Sequence, residues 1–155
     1  MLFLSIFLLA GLLPLFFLIR LVRMARSFEK RAELLVPHWP LESAEEVEMT
    51  FHCNLKKALT VMSVDVTLEC QKVDRSGSET QTSILDTRSL SVRGFTQQDR
   101  QVSAKWQMSM PSGWALPHKV KTEEVNWKVN VIVPLAEGPK GVFNFKLMVV
   151  GGANA

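Results

Sequence analysis

Three histidines, two cysteines and a group of closely spaced glutamates are the residues with which this chain could do chemistry. His38, His52 and His118 are scattered, with no cysteine or carboxylate at metal-ligand spacing. His52-Cys53 is the one adjacent imidazole–thiol pair. Neighbouring residues of a strand point to opposite faces, so these two cannot easily act as base and nucleophile. There is no Gly-x-Ser-x-Gly, no Walker loop and no Gly-x-Gly-x-x-Gly. Glu42, Glu45, Glu46 and Glu48 read as a solvated charge run, with pairing to a basic segment upstream as the functional option. The expectation is a protein with no catalytic residue, no metal site, no cofactor and no evident small-molecule substrate. Cys53 and Cys70 read as buried small hydrophobes, although a bridge between them stays open at this level.

The formal net charge of +3 is local. Arg20, Arg23, Arg26, Lys30 and Arg31 stand together against one acid, Glu29, and leave the remainder near neutral. A near-neutral domain lacks the electrostatic footprint of a nucleic-acid binder.

Those basic residues follow an apolar run. The first nineteen residues carry no charged side chain. Residues 2–19, LFLSIFLLAGLLPLFFLI, would span about 27 Å as a helix, close to the hydrocarbon thickness of a bilayer. Gly11 and Pro14 are tolerated in such a helix. Nothing basic precedes the run and no small-x-small cleavage site follows it, which favours an uncleaved anchor over a signal peptide. The positive-inside bias places the C-terminal side in the cytoplasm. The expectation is a single-pass protein of the inner membrane with a cytoplasmic domain.

Beyond the anchor, Leu21, Ala25, Phe28, Ala32 and Leu35 recur at spacings of four and three, which predicts an amphipathic helix ended by Pro37 and Pro40. The basic residues form its other side, suited to anionic headgroups of the lipid bilayer or to a partner helix.

After Pro40 the period changes to two. Val47, Met49, Phe51 and Cys53 form one alternating set. Met62, Val64, Val66, Leu68 and Cys70 form the next, followed by Val102, Ala104, Trp106, Met108 and Met110. Val125, Trp127, Val129, Val131 and Val133 make a fourth, and Phe143, Phe145, Leu147 and Val149 a fifth. Each predicts a strand with one face on a core. Residues 78–92 are rich in Ser and Thr and predict one irregular strand. Turn chemistry lies between the runs at Asp74-Arg75-Ser76-Gly77, Pro111-Ser112-Gly113 and residues 137–141. Six or seven short strands predict an antiparallel β-sandwich, with a barrel as the alternative. The fold class expected is mostly β: an N-terminal transmembrane helix, then an immunoglobulin- or arrestin-like sandwich. The divisions are 1–22 for the membrane helix, 23–40 for the basic helix and linker, 41–151 for the sandwich and 152–155 for a tail.

The stretch MSMPSGWALPHKVKTEEVNWKVN, residues 108–130, runs from a strand ending in Met-Pro through a Pro- and Gly-containing loop to Val125-Asn126-Trp127-Lys128-Val129. It resembles the pattern of arrestin-like β-sandwiches. It is also similar to the C-terminal domain of a poorly characterised family of bacterial membrane proteins, in which one or more transmembrane helices precede such a sandwich. Residues 64–70, VDVTLEC, and 143–147, FNFKL, fit the same resemblance. It implies a fold and a topology, and no catalytic residues.

Trp106 and Trp127 lie on inward parities and are expected in the core. Trp39 and Trp114, together with Phe28 and Leu116, are the large groups available as partner contacts. The function expected is that of a non-catalytic, membrane-anchored accessory or scaffold subunit, with other membrane-protein subunits as partners. The alternative is a tethered module that binds a ligand or peptide at a sheet edge.

Overall fold

The computed structural model describes residues 27–111, 118–119 and 122–150. The elements are β1 (Phe28–Leu35), β2 (Leu41–Glu42), β3 (Glu46–Leu55), β4 (Val64–Asp74), β5 (Gln81–Val92), β6 (Thr96–Gln98), β7 (Gln101–Ser109), β8 (His118–Lys119), β9 (Glu123–Val133), β10 (Gly141–Leu147) and β11 (Val149–Val150).

They form two antiparallel sheets. The first runs β1-β3-β7-β6; the second runs β10-β9-β4-β5, with β8 beside β9. A short parallel pair, β11 with β2, ties the end of the domain to the segment after Pro40. Alternation drives this arrangement: Val47, Met49, Phe51 and Cys53 turn inward from β3, and Val64, Val66, Leu68 and Cys70 turn inward from β4. β7 adds Val102, Ala104 and Trp106, and β9 adds Val125, Trp127, Val129, Val131 and Val133. The result is one continuous core between two sheets, a β-sandwich. Trp106 and Trp127 are both buried, as their parity requires.

Two of the turns sit where their residues predict; residues 112–113 of the third lie outside the described residues. Asp74 Oδ1 accepts a hydrogen bond from the Ser76 amide at 2.8 Å as the chain leaves β4 for β5. Gly138, at φ 129°, turns the chain between β9 and β10 in a conformation that side chains rarely adopt.

Three expectations need correction. Residues 28–35 form a strand, β1, and not the second half of an amphipathic helix. The spacing of four between Phe28 and Ala32 comes from an irregular register: Phe28 pairs with Leu55 and Ala32 with Cys53, so four residues of β1 span two of β3. Such an insertion returns an apolar residue to the core after four positions, which reads as helical in sequence. The sandwich therefore begins at β1 and not at residue 41. Met62, read as inward, is 65% exposed, because β4 begins only at Val64.

The anchor at 1–22 and Arg20, Arg23 and Arg26 lie outside the described residues. Among the described residues no helix is long and apolar enough to cross a membrane.

Candidate functional site, an open side of the sandwich

β5 is an edge strand of twelve residues, paired with β4 along its whole length. Every residue from Gln81 to Ser91 except Asp86 is exposed, and only Val92 at its end is buried. A strand that buried one face would alternate; this one does not, because its inner face has no cover among the described residues.

The reason lies in the opposite sheet. β1 stands over β10, with the Phe28 and Phe143 rings 5.5 Å apart edge to face. Phe51 of β3 packs on Phe143 and Phe145 at 5.3 and 6.1 Å. In the same layering β6 would have to cover β5, but β6 has three residues. It pairs with β7 only at Gln101, Val102 and Ser103. Among the described residues, 104–109 of β7 have no neighbouring strand on that side. Their backbone edge and the inner face of β5 form two walls of an open slot.

The slot has identifiable chemistry. Leu90 and Arg88 of β5 share the inward face with their β4 partners Val66 and Leu68. Arg88 lies with its guanidinium carbon 5.6 Å from the Trp127 ring centroid, in cation–π range. Its Nη1 donates to the Ser109 carbonyl at 3.2 Å, and its Nε donates to Asp86 Oδ2 at 3.2 Å. Arg88 thus bridges the two sheets at the far end of the opening. Of the exposed apolar side chains of β5, Leu90 stands on this inner face, whereas Ile84, paired with Gln71, stands on the outer one. Trp106 Nε1, on β7, is buried without a hydrogen-bond partner.

A second concavity, a polar depression of about 270 Å³, is lined by Glu29, Arg31, Glu33, His52, Cys53, Asn54 and Gln101. It brings Arg31 of the basic flank beside His52. His52 and Cys53 face opposite sides of β3, His52 half-buried and Cys53 in the core. Burial pushes the Cys53 thiol up to about 12 and raises Cys70 as well, with the nearby Asp86 carboxylate adding to the effect there. Thiols so held are not thiolate nucleophiles at neutral pH. The two cysteines sit on different sheets and are free.

The residues singled out from the sequence are distributed as follows. Lys30 and Arg31 are exposed on β1. Phe28 is 5% exposed and belongs to the core, so it is not available as a partner contact. Trp39 is 54% exposed. Trp114 and Leu116 lie outside the described residues. Of the glutamate run, Glu45 pairs with His38 at 3.1 Å and Glu48 with Lys105 at 2.8 Å, both within the sandwich domain. Sequence reasoning missed the slot. The one signal for it was the Ser- and Thr-rich, non-alternating stretch that became β5.

No family model matches the chain, and no curated protein does. Among solved structures, the chain is similar to Spo0M, the sporulation control protein of Bacillus subtilis, with a TM-score of 0.53 and 16% identity, over 77% of this chain and 48% of that one. It therefore spans about half the length of Spo0M. A DUF4466 family protein from Parabacteroides merdae aligns more loosely, with a TM-score of 0.31 and 7% identity, over 76% of this chain and 44% of that one. The likeness to Spo0M concerns the fold alone and supports the β-sandwich.

Proposed function

We propose that the chain is a non-catalytic, membrane-anchored accessory or scaffold subunit of a larger membrane protein complex, and that it works by protein–protein contact at the open side of its sandwich. The observation that carries this reading is the unpaired stretch of β7, residues 104–109, beside an inner face of β5 that nothing covers among the described residues. A sheet edge beside a wall that offers Leu90, Arg88 and Asp86 binds extended backbone by strand addition, with alternate side chains read by the wall. The anchor reading rests on the uncharged residues 1–19 and the basic residues after them, which also support a cytoplasmic domain at the inner membrane.

The test is purification from native membranes in mild detergent, with a photo-crosslinking side chain at Gln107 on β7 or, as control, at Asn144 on β10. The reading expects one partner at fixed stoichiometry, cross-linked from position 107 and not from position 144. A chain that purifies alone, with no adduct from position 107, would overturn it.

A second reading, a tethered module that takes up a free peptide, is supported by the same unpaired edge of β7. It predicts saturable, reversible binding of an extended peptide in place of a fixed partner.

A further inference from the structure

The other edge of β5 carries an inference independent of the host complex. Among the described residues β5 pairs only with β4, so the hydrogen-bonding groups on its outer edge have no strand partner. The strand contains no proline and no lysine. Its only two charged residues are Asp86 and Arg88, of opposite sign, one on each side of Thr87. Both share the inward face, since they pair with Cys70 and Leu68 of β4.

We propose that β5 pairs antiparallel with β5 of a second copy, about a two-fold axis at Thr87. A two-fold contact must be self-complementary, and facing residues must lie on the same side of the sheet. The axis must therefore fall on a residue. An axis at Asp86 sets Asp against Asp, and an axis at Arg88 sets Arg against Arg. An axis at Thr87 sets each Asp86 opposite the other copy's Arg88, twice, beside the 3.2 Å pair that the two residues already make within one chain. Leu85 is left out of the β4 ladder at the irregularity between Cys70 and Gln71. If it is left out toward the second copy as well, Ser89 faces Ile84, Leu90 faces Ser83 and Ser91 faces Thr82, all neutral and all matched in side. The two sheets then join into one continuous sheet eight strands across, with β8 beside β9 in each copy. Inward charges and a bulge are ordinary deterrents to edge pairing with foreign strands. Here the charges deter strangers and admit a copy, because the sign pattern is its own complement.

A single strand pair is small beside the about 800 Å² per partner of a standard interface, so the dimer is expected to be weak and is best read by cross-linking. The experiment uses the full chain in membranes with Thr87→Cys and oxidised glutathione. Both native cysteines are buried and do not compete. Facing residues of an antiparallel pair lie within disulfide reach, so Thr87→Cys should give a covalent dimer while Thr82→Cys stays monomeric. Adding Asp86→Arg or Arg88→Asp should cut the yield at least about tenfold, and the two together should restore it, as an opposite-charge pair across strands requires. A folded Thr87→Cys chain that remains monomeric would overturn the proposal, as would a dimer indifferent to both single reversals. Because Arg88 also lines the slot, host copurification is read on the Thr87→Cys chain without the charge reversals; a host retained without the disulfide, or a disulfide without the host, separates the dimer from the host contact.

Discussion

Gly141 lies directly against the ring of Phe28: a Cβ built on Gly141 would stand 2.7 Å from Phe28 Cζ and 2.9 Å from Cε1 and Cε2. This contact locks the first strand of one sheet to the first residue of β10 in the other, beside the edge-to-face packing of Phe28 on Phe143. It is the joint by which the segment nearest the expected membrane anchor becomes part of the sandwich.

Gly141→Ala is therefore expected to destabilise the domain by about 1–3 kcal/mol, the usual cost of overpacking. Phe28→Ala should cost about 3–5 kcal/mol. In a Phe28→Leu background the alanine at 141 should cost at least about 1 kcal/mol less, since contacting residues couple. Urea denaturation of the four variants checks this. Strict additivity would mean that Phe28 does not pack where the structure places it.

The cysteines give a second prediction. With the Cys53 thiol pushed up to about 12 and Cys70 also raised by burial, neither should react with a thiol reagent at pH 8 in the folded chain. Both should react together on unfolding in denaturant. Rapid labelling of either in the native state would show that its part of the core is open to solvent.

Glu124 gives a third, with a defined sign. Its side chain is 15% exposed and accepts from Arg75 at 3.2 Å and Lys146 at 3.3 Å. Hydrogen bonds from Asn126, Arg75 and Lys146 hold its carboxyl at about 2, below its ordinary 4.5. A carboxylate depressed on folding stabilises the native state above its unfolded value. That contribution is lost as the pH falls from 4.5 toward about 2. The melting-temperature gap between the wild type and Glu124→Gln should be full at neutral pH and close across that interval. A gap independent of pH would show that the charge is not responsible. Asp74, also held down by its Ser76 hydrogen bonds, is common to both chains and cancels in the difference.

Where a strand buries one face, its sequence declares it. β3, β4, β7, β9 and β10 were legible because a core face and a solvent face alternate along them. β1 was not, because the irregularity between Phe28 and Ala32 turned a period of two into an apparent helical step. β5 was legible only as an irregular strand, since a strand exposed on both faces has no reason to alternate. The open edge of β7 could not be read at all. Residues 104–109 look like any half-buried strand, and what distinguishes them is the shortness of β6, a property of pairing and not of composition. For the same reason Phe28 passed in sequence for a surface aromatic: its ring finds Phe143 and Gly141 only once the sheets are stacked.

The central claim is that the open side of the sandwich, between β5 and β7, is where this protein meets its partner. Hydrogen exchange on the chain in its membrane assembly, compared with the same chain released and purified, tests it most directly. In the released chain, the amides of 104–109 that point away from β3 should exchange fast, as unpaired edge amides do. In the assembly they should slow by about a hundredfold, the protection given by a partner present at a hundred times its dissociation constant. Amides of residues 50–53 in β3 and 127–132 in β9, which have a strand on both sides, serve as the internal reference. Equal exchange at 104–109 in the two states, with the reference unchanged, would contradict the account.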